Sequence, residues 1–430
     1  MLAKDKRTTA VAIAIILASA AVKLYKIDAP IADLHSWNQC SCAQVIRNFY
    51  EGGMRFLYPE WDLLKDGELP PRYEAEEVPI YSFFVAILWT LFGPHLWLAR
   101  LSTIAGASVG MVFLFRLTRR LYDDRTALWA LFFYAFAPLN LFFQRAIMTD
   151  AWGIAASIAA VDLFHLYFQK PTPSRWIFAT VATMLAGMLK VYFLFIGLPI
   201  AYLAYRRYGM RFAARVELWL SALAVLVPNA LWLWHASKIG TLGSAAPGGK
   251  FWQTQKLWGS VELLWDPEFY RKIAERLLLY VGTGFFSVFV ICGLVRSRRS
   301  LGLPLWWLAG FAVYVLIIRG GNKVHNYYQL PYLAPASMIA GVGAVELLNA
   351  LHAGLSRGRA RAVLLALATA FLFNSGWYAY HHALLDLSSI AAAELVDKYT
   401  EPNDLIIVVE PGSSKRNQAI FAAHRKGWHV

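Results

Sequence analysis

Charge is scarce in this sequence. Only 16% of its 430 residues are Asp, Glu, Lys or Arg, against roughly 25% in soluble globular proteins. Acid is scarcer than base, with 27 acidic residues facing 41 basic ones. Cysteine is nearly absent: Cys40, Cys42 and Cys292 are odd in number and lack metal-finger spacing, which excludes a disulfide-stapled scaffold. A Cys40–Cys42 bridge would be strained, so plain small residues are expected there. No repeat of 20–50 residues is visible, which argues against a solenoid. Nor do two halves echo each other as in many transporters. Because 58% of the residues are apolar, disorder, collagen and an ordinary cytosolic enzyme are all disfavoured.

Long apolar runs are abundant. Stretches of roughly 17–25 residues can cross the ~30 Å hydrocarbon core as helices. They lie near 8–25, 97–118, 126–144, 147–168, 176–189, 191–205, 213–234, 272–295, 303–319, 326–350 and 361–381. The first follows Lys4, Lys6 and Arg7 without a clean cleavage site and reads as a retained anchor. The run 80–93, closed by Gly93-Pro94, is short and reads as a helix lying at the interface.

The net charge of +14 does not point to nucleic acid, because the basic residues fall in short clusters between apolar runs. With the N-terminus inside, every such cluster lands on one face: Arg116–Arg125, Lys170 and Arg175, Arg206–Arg215, Arg296, Arg298 and Arg299, and Arg357–Arg361. That satisfies the positive-inside rule, whereas a full crossing at 80–93 would turn all the later clusters outward. The expected fold class is therefore an all-α polytopic membrane protein of about eleven spans. A large first extracytoplasmic loop, 26–79, carries juxtamembrane helices, and a short α/β tail lies on the same side. We divide the chain into 1–385, the membrane domain, and 386–430. The tail reads as a helix at 388–400, a strand at 405–409 and a helix at 413–426. Its single strand needs neighbours, so the tail either packs on the membrane part or belongs to a larger domain.

Four polar constellations collect on the outer face. Asp33-Leu-His35-Ser-Trp37-Asn-Gln39 follows the first span. A carboxylate at the membrane surface can act as a general base, or can be a solvated loop acid. Glu76-Glu77-Val78-Pro79 precedes the interfacial helix; adjacent acids can hold a cation, or can simply favour a helix start. Gln144-Arg145…Thr149-Asp150 joins two spans, where ionisable groups need solvent or partners and Thr149 or Asp150 can cap a helix. Arg319-Gly-Gly-Asn322-Lys323-Val-His325-Asn-Tyr327-Tyr328-Gln329 is a compact basic stretch suited to phosphate. Its glycines permit close backbone approach. Lys190 interrupts an apolar hairpin and wants an anion, unless it snorkels to the interface.

The order Asp33, Glu77-x-Pro79, Gly93…Ala99-Arg100-Leu101, Arg145…Asp150, Lys190 and His325-Asn-Tyr-Tyr-Gln-Leu-Pro331 resembles the GT-C glycosyltransferases. It is nearest the prokaryotic relatives of protein O-mannosyltransferase and of the lipid A aminoarabinose transferase. The resemblance covers about residues 1–385. It implies a membrane glycosyltransferase, placed in a bacterial inner membrane with its site facing the periplasm. Its partners would be a polyprenyl-phosphate sugar donor and a lipid, glycan or protein acceptor. Asp33 matches the first-loop catalytic aspartate, and Glu77 and Asp150 match further carboxylates of the site. Lys190, Arg319, Lys323, His325 and Arg145 are expected around the donor phosphate. His35, Trp37, Gln39, Glu76, Tyr327 and Tyr328 are expected to line the acceptor side. A divalent metal ion is a candidate cofactor, with Asp33, His35 and Glu77 as its ligands. The chain departs from the relatives at Trp37-Asn38-Gln39, where they often have Trp-Arg-Gln, and at Val78, where the aminoarabinose transferases carry lysine.

The rival reading is a polyprenyl-linked lipid or sugar transporter, with Lys190 and Asp150 on an intramembrane pathway. Polar groups gathered on one face count against it, since alternating access needs them reachable from both.

Overall fold

The apolar runs form helices because a chain in hydrocarbon must satisfy its own backbone hydrogen bonds. A computed structural model describes residues 2–64, 67, 69–239, 258–297, 300–409 and 417–429. Arg298, Arg299, the middle of the 235–271 loop and the start of the tail helix expected at 413–426 lie outside the described residues. In chain order the first helices are α1 (Leu2–Lys23), α2 (Ser36–Glu51), α3 (Ile80–Phe92), α4 (Leu96–Leu121), α5 (Asp124–Phe136) and α6 (Pro138–Phe143). Then come α7 (Asp150–Gln169), α8 (Pro173–Leu189), α9 (Gly197–Tyr208), α10 (Val216–Lys238), α11 (Pro267–Glu275) and α12 (Thr283–Arg296). The last are α13 (Gly302–Ile317), α14 (Arg319–Val324), α15 (Leu333–Gly354), α16 (Arg357–His382), α17 (Ser388–Tyr399) and α18 (Gln418–Ala422).

Every run read as a span is helical, but several are broken. Among the described residues, five helices are long and apolar enough to cross a membrane, or six when a bent pair counts as one. The run 126–144 is split at Ala137-Pro138, as a proline imposes. The run 191–205 opens with a 3₁₀ turn, Val191–Ile196. The run 272–295 bends by 104° between residues 267–281 and α12. The cause is local: a π-turn at Arg276–Val281 and a left-handed Thr283, φ 72°. A side chain at Gly282 would collide with Phe286 at 2.1 Å.

α4, α5, α7, α12 and α15 pack at the centre. α10 and α16 are only 22% buried within the protein and equally apolar, so their exposed faces meet lipid. α4, with 26 residues, is about 39 Å long at 1.5 Å per residue. Its basic end carries Arg119, bonded to Asp124 at 2.7 Å, and Asp124 also accepts from Thr8 of α1 at 3.0 Å. Caps at this end have readable causes: Asp123 accepts from Thr126 N, Thr172 from Arg175 N and Ser356 from Arg359 N. The polar constellations sit at the opposite ends of the same helices.

The first loop and the tail share a sheet. β1 (Glu60–Trp61) pairs antiparallel with β3 (Arg72–Tyr73). β2 (Leu63–Leu64) pairs parallel with β5 (Lys426–His429), which pairs parallel with β4 (Leu405–Val408). The expected helix at 413–426 is thus corrected to the short α18 followed by a strand. Gly427 explains the strand, because a Cβ there would meet Ile406 O at 1.9 Å; a close-packed ladder suits glycine and a helix does not. The joint between loop and tail rests on Arg47, which donates to Asp62 at 2.5 Å and to Phe421 O at 2.9 Å. Asn48 also donates to Asp62 at 2.8 Å.

Asp62→Ala would strand the Arg47 charge, whose side chain is 10% exposed. Breaking a buried pair costs about 3–5 kcal/mol. Limited proteolysis should cut the tail of this variant much faster than that of the wild type, and equal resistance would contradict the joint.

Candidate active site

Chain geometry brings the constellations together. His35 takes the left-handed conformation, φ 53°, and so starts α2 at a sharp angle just after Asp33. α7 begins at Asp150, and α8 ends at Lys190, which leaves the helix extended. Val78 N donates to Met188 O at 3.2 Å, and this places Glu77 against the end of α8.

The result is an ion cluster built from three segments. Lys190 Nζ lies 2.8 Å from Glu77 Oε1 and 3.3 Å from Asp150 Oδ2. Thr149 Oγ donates to Glu77 Oε2 at 2.6 Å, and Tyr192 OH lies 3.5 Å from Asp150 Oδ1. Lys190 and Asp150 are buried, while the Glu77 side chain is 28% exposed. Loss of solvent pushes the Glu77 carboxyl above its ordinary range; Lys190 opposes that shift and Asp150 adds to it. Glu76, one residue earlier, is exposed.

Asp33 is the second pole. It is 8% exposed and accepts from Gln39 Nε2 at 2.6 Å. Burial pushes its carboxyl up, against the pull of the Arg100 and Arg145 guanidiniums and of Gln39. Gln39 Oε1 accepts from Ile147 N at 3.1 Å, so one fully buried amide ties Asp33 to the junction that leads to Asp150. Arg145 stands with Asp33, its Nη2 donating to Lys26 O at 2.9 Å.

An aromatic wall joins the poles. His325 stacks on Tyr327 and Tyr328, with centroids 5.3 and 5.9 Å away. His35 and Trp37 each lie 5.6 Å from His325. His35 Nε2 meets Asn326 Oδ1 at 3.0 Å, and burial lowers the His35 imidazole to about 4. Lys190 Nζ lies 5.9 Å from the Tyr327 ring.

The basic stretch is not the compact cation site expected from sequence. Arg319 and Lys323 sit one turn apart on α14, so they share a helix face. Arg319 Nε donates to Ser260 O at 2.7 Å, and Lys323 pairs with Asp266 at 3.3 Å. His325 lies beyond the helix end, extended, and turns into the aromatic wall. The space beside Gly321 is filled by Tyr328, whose ring would meet a Cβ at 2.6 Å.

Three residues were missed. Tyr192 stacks on Tyr328 at 5.4 Å. Asn326 holds His35. Arg276 donates to Asn322 O at 2.7 Å and Val324 O at 3.2 Å, fixing the approach to His325. A cation inside an apolar run was the available signal for Arg276. Asp33, His35 and Glu77 do not converge as metal ligands: each is engaged by Gln39, Asn326 or Lys190. Among the described residues no group of three or more His, Cys, Asp or Glu is arranged to hold an ion. The three cysteines are free thiols.

Lys190→Met would leave Glu77 and Asp150 without their cation, a loss of about 3 kcal/mol. Glu77 can relieve the deficit by taking up a proton as pH falls, so thermal denaturation should show a larger loss at pH 8 than at pH 5. A deficit independent of pH would contradict the ion cluster.

Residues 76–234 match the family described as dolichyl-phosphate-mannose-protein mannosyltransferase. Sequence comparison with curated proteins gives no significant match. The chain superposes on ArnT from Cupriavidus metallidurans bound to undecaprenyl phosphate, with TM-score 0.67 and 16% identity over 97% of this chain and 85% of that one. It also superposes on the archaeal oligosaccharyltransferase AglB from Archaeoglobus fulgidus, in complex with an inhibitory peptide and a dolichol-phosphate. There the TM-score is 0.65 and identity 12%, over 97% of this chain and 64% of that one. Against the arabinofuranosyltransferase AftD from Mycobacteria the TM-score is 0.59 and identity 15%, over 97% of this chain and 31% of that one. The chain thus shares the fold of these membrane glycosyltransferases, and its residues 76–234 are similar to the mannosyltransferase family.

Proposed function

We propose that the protein transfers a sugar from a polyprenyl-phosphate-linked donor to a lipid, glycan or protein acceptor on the periplasmic face of a bacterial inner membrane. The observation that carries this reading is the pair of poles: a buried carboxylate, Asp33, and a buried ammonium, Lys190, at the two ends of one aromatic wall. Undecaprenyl phosphate in ArnT and dolichol-phosphate in AglB support a polyprenyl-phosphate carrier here.

In the proposed step the acceptor hydroxyl attacks the anomeric carbon once and inverts it. The acceptor's proton passes to Asp33 Oδ as the new C–O bond forms. The anomeric C–O bond to phosphate breaks, and its electron pair stays on the phosphate oxygen. Lys190 faces the charge that grows there, which is where preorganised charge lowers a barrier. For that contact, a phosphate must take over part of the Lys190 coordination now supplied by Glu77 and Asp150. His325, Tyr327 and Tyr328 pack together as the aromatic wall beside Lys190. Arg319 and Lys323 are assigned to long-range attraction of the anionic donor, since their side chains are engaged by the 258–266 segment.

Asp33→Asn should lower release of free polyprenyl phosphate from a panel of polyprenyl-phosphate sugars by at least about a hundredfold, with donor binding retained. Equal turnover would remove Asp33 as the base. Movement of the lipid between leaflets without sugar transfer would favour a transporter.

Activity requires ionised Asp33, so it should fall as pH drops through a pKa lying above the ordinary aspartate value of about 3.9. Arg145→Gln removes a charge that favours ionisation and should shift this acid limb of kcat/KM to higher pH. A shift downward would contradict the assignment.

A further inference from the structure

The backbone on both sides of Asp33 is fastened to the far end of the chain. Asp386 N donates to Ala32 O at 2.8 Å, and Leu34 N donates to His382 O at 3.1 Å. These two bonds bracket a single residue, Asp33. Two residues on, His35 holds a left-handed conformation, which costs a non-glycine residue roughly 1–2 kcal/mol. Such strain persists only where surrounding contacts over-determine it.

The tail supplies more contacts to the same stretch. Asn417 and Gln418, 1% and 3% exposed, sit at the start of α18. Gln418 Nε2 donates to Ile31 O at 3.4 Å. Asn417 Nδ2 donates to Ser41 Oγ at 3.0 Å, and Gln44 Nε2 reaches Asn417 O at 3.5 Å. One pair of neighbouring tail residues thus contacts the first loop both before Asp33 and along α2 behind it. The shared sheet adds a second attachment, with Gly427 N donating to Asp62 O at 3.0 Å.

We propose that residues 382–386 and the tail helix α18 are a positioning element for Asp33: they hold the first loop in the one arrangement that presents this carboxylate to the acceptor. The inference rests on Asp33 being the base. It assigns Asn417 and Gln418 as positioning residues, acting through the loop and not on the substrate. A carboxylate moved by about 1 Å can lose a hundredfold in rate while the donor's contacts survive.

The test uses the full-length protein in nanodiscs with three variants. Asn417→Ala/Gln418→Ala removes the side-chain contacts. Asp386→Pro removes the N–H that Ala32 accepts, and Asp386→Ala keeps it. Hydrogen–deuterium exchange is read on the peptide covering 31–39, and kcat and KM are read with a donor the wild type turns over. The double variant and Asp386→Pro should exchange faster over 31–39 and lose about tenfold or more in kcat. Donor KM should stay within about twofold, with Asp386→Ala near wild type. Unchanged exchange in both altered variants would overturn the proposal whatever the turnover, and so would faster exchange with unchanged kcat. If Asp386→Pro does not fold, the double variant decides. Asp33→Asn run beside them separates the two claims: full activity there removes the base itself, and with it the positioning role, while the exchange data still read the tether.

Discussion

The buried ammonium of Lys190 is met by two carboxylates, and the candidate site is arranged around that contact. Desolvating a cation costs several kcal/mol, so Glu77 and Asp150 are drawn to it from chain segments remote in sequence. That demand fixes where the first loop ends, where α7 begins and how α8 stops. The Val78–Met188 backbone bond and the Thr149–Glu77 hydrogen bond follow from the same convergence. The short helix α3 starts where it does because the residues leading into it are pinned to the end of α8.

Asp33 is organised differently. Two guanidiniums act on it without a direct ion pair, and its close partner is the neutral amide of Gln39. Such a carboxylate stays available, whereas one locked to an arginine would not. Gln39 spends its other polar atom on Ile147 N, so the two poles are parts of one hydrogen-bonded frame. The rings of His35, Trp37, His325, Tyr327 and Tyr328 pack on one another beside this frame.

Much of this was legible in the sequence, because apolar length and charge clusters report helices and sidedness directly. The runs read as spans are helical, though among the described residues only five helices, or six with the bent pair, are long and apolar enough to cross a membrane, and α17 and β4 lie where the pattern placed them. Asp33, Glu77, Asp150, Lys190 and His325 were all singled out, since ionisable groups beside apolar runs are conspicuous. Their pairing is not legible: the sequence marks Lys190 as wanting an anion, and nothing local says that Glu77 and Asp150 already reach it. The register of α14 was missed as well. Seven residues that look like one basic patch become a helix face bearing Arg319 and Lys323 and a separate His325. The tail's third strand is two residues of the first loop, too short for any periodicity to reveal. Breaks at Ala137-Pro138 and Gly282 turn runs that look continuous into bent ones.

The most direct measurement of the central claim is a structure of the protein with polyprenyl phosphate bound. The account predicts the phosphate within hydrogen-bond distance of Lys190 Nζ, beside the Tyr327–Tyr328 wall, with Glu77 or Asp150 drawn back from the ammonium. A phosphate seated elsewhere, with the Lys190–Glu77–Asp150 cluster unchanged, would contradict it.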